Sequence, residues 1–146
     1  MNKSLNYIKV PIILISATLC IAGIRWMISS EPWILDQVAN EERLEMSFVE
    51  LFLIEGNLTL SEYLKQIYRF LGFYVFGTGL TFMLFTTNEF FQISKFRTRL
   101  LYILGFLLIS NLILAYYWIP SSHFIYLMWG AICLFMISCY GHFKKS

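Results

Sequence analysis

Four runs of this chain, residues 10–28, 67–85, 100–119 and 123–141, are apolar over the length that crosses a bilayer, and none contains an aspartate or a glutamate. A helix needs about 20 such residues to span the hydrocarbon, and it satisfies its own N–H and C=O groups there. The expected fold is therefore an all-α membrane protein, with four transmembrane helices in a bundle. Composition agrees: 58% of the 146 residues are hydrophobic and 14% charged, where a soluble domain is roughly a quarter charged. No repeat, low-complexity tract or linker marks a second unit, so residues 1–146 read as a single membrane domain.

The charges are segregated. With four spans, Lys3, Lys9, Lys95, Arg97, Arg99, Lys144 and Lys145 fall on one side of the membrane. Residues 29–61, on the other side, hold Glu31, Asp36, Glu41, Glu42, Glu45, Glu50 and Glu55 against Arg43 alone. Basic flanks stay inside, which places both termini in the cytoplasm and the chain in the cell (inner or plasma) membrane as a multi-pass protein. Trp26, Trp33, Tyr116, Tyr117, Trp118 and Trp129 gather towards the outer interface, where amphipathic rings settle. The longest basic cluster is confined to a short loop, so nucleic acid is not an expected partner. Cys20, Cys133 and Cys139 lie inside apolar runs and read as small hydrophobes, not as a disulfide framework. The first run is longer than a signal-peptide core and lacks a small-residue cleavage site, so it reads as a retained span, with Pro11 in its first turn.

Within the acidic segment, Ser47-Phe48-Val49-Glu50 and Thr59-Leu60-Ser61-Glu62 both match the capping box, in which a hydroxyl and a carboxylate satisfy the free N–H groups of a helix start. Phe48, Val49, Leu51, Phe52, Leu53 and Ile54 form an apolar patch too short to span, which predicts a short interfacial helix in this first outer loop. The second box launches span two. There Arg69, Gly72, Phe76 and Gly79 fall on one helical stripe, which should face protein because glycines admit close backbone contact.

Arg25 lies one turn before the end of span one, Arg69 one turn inside span two, and His123 opens span four; Glu31 and Glu62 stand just above. This is the one polar cluster that the pattern predicts, at the outer surface. It has two readings. The guanidinium forks could hold an anionic or carbonyl-bearing ligand, such as a lipid headgroup or a quinone ring. Alternatively, the arginines pair with Glu31, Glu62 or another loop acid and pin the loop to the helices. Ser110 and Asn111, near the middle of span three, suit an interhelical hydrogen bond as well as a ligand. Thr78 and Thr81 can bond to carbonyls one turn back.

Several chemistries lack their groups. No acid lies within a span to carry a transported proton. His123 and His142 fall on opposite sides, and no cysteine pair has ligand or exchange spacing, so no metal and no cofactor is expected. No nucleophile elbow, phosphate-cradling glycine loop or carboxylate dyad is present. Asn57-Leu58-Thr59 matches a glycosylation sequon.

The layout of a first span ending near Glu31-Pro32, an acidic outer segment, Tyr68-Arg69-Phe70-Leu71-Gly72 opening a glycine-bearing span, and two plain spans resembles the small bacterial four-helix membrane proteins of the DoxX-like kind. That resemblance implies the same four-span fold and, from some members, a connection with quinone-linked oxidoreductase subunits. The expected function is a non-enzymatic integral membrane protein, an accessory subunit or a lipid- or quinone-binding protein, whose partners are the bilayer and either another membrane protein or further copies of itself. The alternative is a subunit of an oligomeric small-molecule transporter or channel. An enzyme of lipid metabolism would require both an acid and a base from the outer cluster.

Overall fold

The computed structural model describes the backbone of residues 3–145 and the side chains of residues 5–144; the side chains of Lys3 and Lys145, two of the basic flanks, lie outside the described residues. The chain forms α1 (Lys3–Ile28), a 3₁₀ turn at Pro32–Asp36, α2 (Gln37–Leu44), α3 (Phe48–Leu53), α4 (Leu60–Phe85), α5 (Asn88–Phe91), α6 (Ser94–Trp118) and α7 (Phe124–Lys145). No strand occurs among the described residues. Four stretches, Leu5–Ile28, Leu60–Phe85, Ser94–Trp118 and Phe124–Lys144, are long and apolar enough to cross a membrane.

Each long helix extends beyond its apolar run, most clearly α1. Leu5, Ile8, Ile12 and Ile15 recur at helical spacing and are buried, so packing carries the helix through the polar residues before Val10. Pro11 consequently sits in the helix interior and not in the first turn. Its missing N–H frees the carbonyl of Tyr7. On the adjacent turn, the buried Ser138 hydroxyl of α7 donates to the Ile8 carbonyl at 2.8 Å, tying the two helices together beside the proline.

α1 is the element on which the others assemble. It packs along α4 and α7, and α7 packs on α6, while α4 and α6 stay largely apart. The α1–α4 seam is close enough to exclude side chains: a methyl group on Gly23 would lie 2.5 Å from the Phe76 amide nitrogen, and one on Gly79 would lie 2.7 Å from the Ser16 carbonyl oxygen. Gly72, Phe76 and Gly79 thus face protein, as their spacing predicts, but Arg69, expected on the same protein-facing stripe, is exposed near the start of α4, beyond the close contact. Gly23 opposite Gly72, and Ser16 opposite Gly79, make this pair antiparallel. Gly141 against Tyr7 and Ile8 with Trp26 against Phe124 do the same for α1–α7, and Thr98 against His142 with Tyr116 against Trp129 do so for α6–α7. The start of α1, α5 and the end of α7 therefore share one end of the molecule; residues 29–59 and 119–123 share the other.

At that second end the apolar patch is α3, but an additional helix, α2, precedes it. The Ser47 box forms completely: the Glu50 amide donates to Ser47 Oγ at 3.2 Å, and the Ser47 amide donates to Glu50 Oε2 at 2.9 Å. Trp33, Phe48 and Phe52 pack their rings 5.2–6.1 Å apart beneath it. The Thr59 box does not form. Thr59 is itself helical in backbone (φ −101°, ψ −2°), so its hydroxyl accepts no cap bond, and Glu62 pairs with Lys65 at 2.7 Å.

At the first end, Arg97 is not a loop cation. It lies within α6, is 3% exposed, and donates from Nη1 to the carbonyls of Phe91 at 2.6 Å and Gln92 at 3.1 Å, closing the C-terminus of α5. Those carbonyls have no partner in a four-residue helix, and a guanidinium supplies it.

Candidate functional site

Because α4 and α6 stay apart, a crevice runs between them, and at the end that holds residues 29–59 the 3₁₀ turn and the start of α7 roof it into a cavity of about 360 Å³. Its polar lining is Asp36, Asn40, Tyr68 and Asn111; its apolar walls include Trp26, Trp118 and Phe124. Pro32 starts the 3₁₀ turn, where its fixed φ and absent N–H are at no disadvantage. That turn delivers Asp36 to the cavity. Asp36 Oδ2 accepts from the Ser122 hydroxyl at 2.5 Å, and Oδ1 lies 3.1 Å from His123 Nδ1. Ser122 Oγ also accepts from the Phe124 amide at 3.2 Å, so one buried hydroxyl both caps α7 and holds the 3₁₀ turn against it. His123 stacks on Phe124, with ring centroids 4.4 Å apart.

On the facing wall, Asn40 Nδ2 donates to the Trp33 carbonyl at 3.2 Å and to the Tyr68 hydroxyl oxygen at 3.3 Å. Tyr68 therefore accepts through its oxygen and keeps its proton for another partner. Asn111 Nδ2 donates to the Leu107 carbonyl at 2.8 Å, leaving its own side-chain oxygen and a second N–H unspent. Arg43 lies against Trp118, one of these walls, its guanidinium 4.7 Å from the ring centroid, within cation–π range. The cavity thus presents one O–H donor, an amide and a carboxylate edge among flat aromatic walls.

The five residues expected at an outer site are distributed differently. His123 reaches Asp36 and adjoins the cavity. Glu62 is exposed and bound to Lys65. Arg25, Glu31 and Arg69 are exposed, and among the described residues none of the three forms an ion pair or a side-chain hydrogen bond. The pinning pairs between the arginines and Glu31 or Glu62 do not occur in this structure, nor does either arginine line the cavity. The loop is instead pinned by Asp36 on Ser122 and His123, and by Arg43 on Trp118. Asp36 passed unremarked among seven acids because its partners lie 86 positions or more downstream; the local trace is its place directly behind Trp33-Ile34-Leu35, an apolar stretch that draws an acid inwards.

Ser122, His123 and Asp36 together do not make a nucleophile. Such a triad needs the histidine between the hydroxyl and the carboxylate, whereas here Asp36 stands between the other two. Among the described residues no group of three potential ligands is placed to hold a metal ion. Set against known proteins, the chain matches no family model, and no curated protein or solved structure is significantly similar to it.

Proposed function

We propose that this chain is a non-enzymatic integral membrane protein, an accessory subunit that binds an amphipathic lipid or quinone in the outer cavity between α4 and α6. In this reading the four long helices form a transmembrane bundle with both termini cytoplasmic, in an order resembling the DoxX-like layout, and α2 and α3, in the long acidic insertion of this chain, lie at the outer interface. The supporting observation is the Tyr68 hydroxyl: it accepts from Asn40, donates to no partner among the described residues, and lines a cavity walled by Trp26, Trp118 and Phe124. A free donor among aromatic faces suits a carbonyl-bearing head with an apolar body. Asp36 on the rim disfavours an anionic head, which shifts the expected ligand from the phosphate class towards the quinone class. The alternative of a transporter or channel subunit draws no support from the spans: Thr78, Thr81 and Asn111 direct hydrogen bonds to carbonyls of their own helices and form no continuous polar path.

Titration of the detergent-purified protein with a short-chain benzoquinone, followed by quenching of tryptophan fluorescence, tests this. Trp26 and Trp118 report from the cavity. Saturable quenching is expected, with affinity falling about fivefold in Tyr68→Phe, the loss of one hydrogen bond of about 1 kcal/mol. Affinity unchanged in Tyr68→Phe but lost in Arg25→Ala and Arg69→Ala would return the site to the guanidinium pair. Turnover of the ligand by the purified chain alone would overturn the non-enzymatic assignment.

A further inference from the structure

The crevice between α4 and α6 continues past the outer cavity into a second, larger space of about 630 Å³ towards the end that holds α5 and the termini. Its walls are apolar. On α4 it runs from Phe73 to Phe85, which at 1.5 Å per residue is about 18 Å. One leaflet of hydrocarbon is about 15 Å deep. Thr78 and Thr81 line the groove, yet their hydroxyls bond to the carbonyls of Tyr74 and Gly77 at 2.8 Å each, so they ask nothing of an occupant. Gly77 has no atom within 4 Å of the place where a side chain would stand, which leaves the middle of the groove open.

The one charged residue lining the groove is Arg99, at its inner mouth. Lys95 lies one turn earlier on the same face of α6. Both cations are exposed, and among the described residues neither makes an ion pair or a side-chain hydrogen bond; Glu89, the acid of the neighbouring turn, is outside the 4.0 Å ion-pair distance of either. Arg97, between them in sequence, is committed to the α5 carbonyls and adds nothing to the mouth. An apolar slot of one leaflet's depth, ending at a free guanidinium, has the shape and charge of a single lipid molecule.

We propose that this groove holds an anionic phospholipid of the inner leaflet, one acyl chain lying along α4 beside Gly77 and the phosphate resting on Arg99, with Lys95 as a second cation. Arg99 is suited to the phosphate because its planar fork donates two parallel hydrogen bonds. The chain has to be thin to pass between α4 and α6, and a hydrocarbon tail is thinner than a helix, about 10 Å across with its side chains. This site is independent of the outer cavity and of the ligand proposed there.

Native mass spectrometry of the detergent-purified chain, offered an equimolar mixture of phosphatidylglycerol and phosphatidylcholine, tests the proposal. The wild type should retain one phosphatidylglycerol in preference to phosphatidylcholine by about fivefold or more, the effect of one cation near a membrane surface. Arg99→Gln should lower that ratio about fivefold, leaving only what Lys95 supplies, while a lipid is still carried. Gly77→Leu puts a side chain into the groove from a position where a Cβ meets no atom within 4 Å, and it should remove the retained lipid of either kind. Equal retention of both lipids by the wild type, an unchanged preference in Arg99→Gln, or undiminished occupancy in Gly77→Leu would each overturn the assignment. So would a dimer that Gly77→Leu dissociates, since the groove would then be filled by a second copy.

Discussion

Ser47 and Glu50 satisfy each other's backbone amides at the start of α3, and Glu50 also accepts from the Ser47 hydroxyl at 2.8 Å. These bonds, the backbone one first, hold the Glu50 carboxyl below the usual carboxylate range. A carboxyl that is more acidic in the folded chain contributes its stability above the unfolded value, and that contribution disappears as pH falls through the folded one. Amide-exchange protection at Phe48–Glu50 should therefore hold at neutral pH and decline only below about 4.3, the ordinary glutamate value; in Glu50→Gln the decline should be absent. A cap of this kind is legible in four consecutive letters because both partners sit within one turn. Thr59-Leu60-Ser61-Glu62 shows the limit of the same reading, since the pattern is met but Lys65 offers Glu62 a partner on its own helix. Asp36 is further from reach still: its hydrogen bond to Ser122 joins residues that come together only after the helices have packed.

At the scale of the helix pair, the α1–α4 seam depends on the absence of side chains. The atoms that a methyl group would meet at Gly23, Phe76 N and Gly72 O, belong to backbone and have no rotamer by which to withdraw. Separating two packed helices is costly, so Gly23→Val should destabilise by about 1–3 kcal/mol, in the range of core overpacking, read as a lower midpoint of thermal unfolding in detergent. Gly130→Ala is the matched control, because nothing stands within 4 Å of its position, and its effect should remain within about 0.5 kcal/mol. The α4 half of this seam follows from the spacing of Gly72, Phe76 and Gly79, but Arg69, on the same stripe, is exposed and takes no part in it. The α1 half is less visible, because Ser16, Cys20 and Gly23 are small for a reason that only the partner's backbone supplies. The early start of α1 is present in the spacing of Leu5, Ile8, Ile12 and Ile15 but masked by Asn6 and Lys9 among them. The gap between α4 and α6 left no trace in the sequence, since their apolar stripes are as continuous as those of packed helices.

For the whole molecule, three successive antiparallel pairings bring the start of α1 and the end of α7 to the same end, whichever way the protein sits in its membrane. The Lys9 ammonium, 2.8 Å from Asn88 Oδ1, and the Ser138–Ile8 bond tie that end together across distant parts of the chain. The choice of side then rests on charge: Lys95 and Arg99 are exposed beside α5, while Glu31, Glu42, Glu45 and Glu55 are exposed at the opposite end. Short basic loops resist translocation and acidic ones do not, so the α5 end should be cytoplasmic. Cysteine labelling of intact cells with a membrane-impermeant maleimide reads this directly. The three native cysteines, Cys20, Cys133 and Cys139, all lie within the long apolar helices, so a variant site in the loop at one end or in the last residues of α7 at the other can be followed above their background. Glu55→Cys should react in intact cells. Lys144→Cys, at the other end of the molecule, should react only after permeabilisation. The reverse pattern would invert the protein and move the Tyr68 cavity to the cytoplasmic leaflet; labelling of both sites in intact cells would mean that the four long helices do not form four consecutive spans.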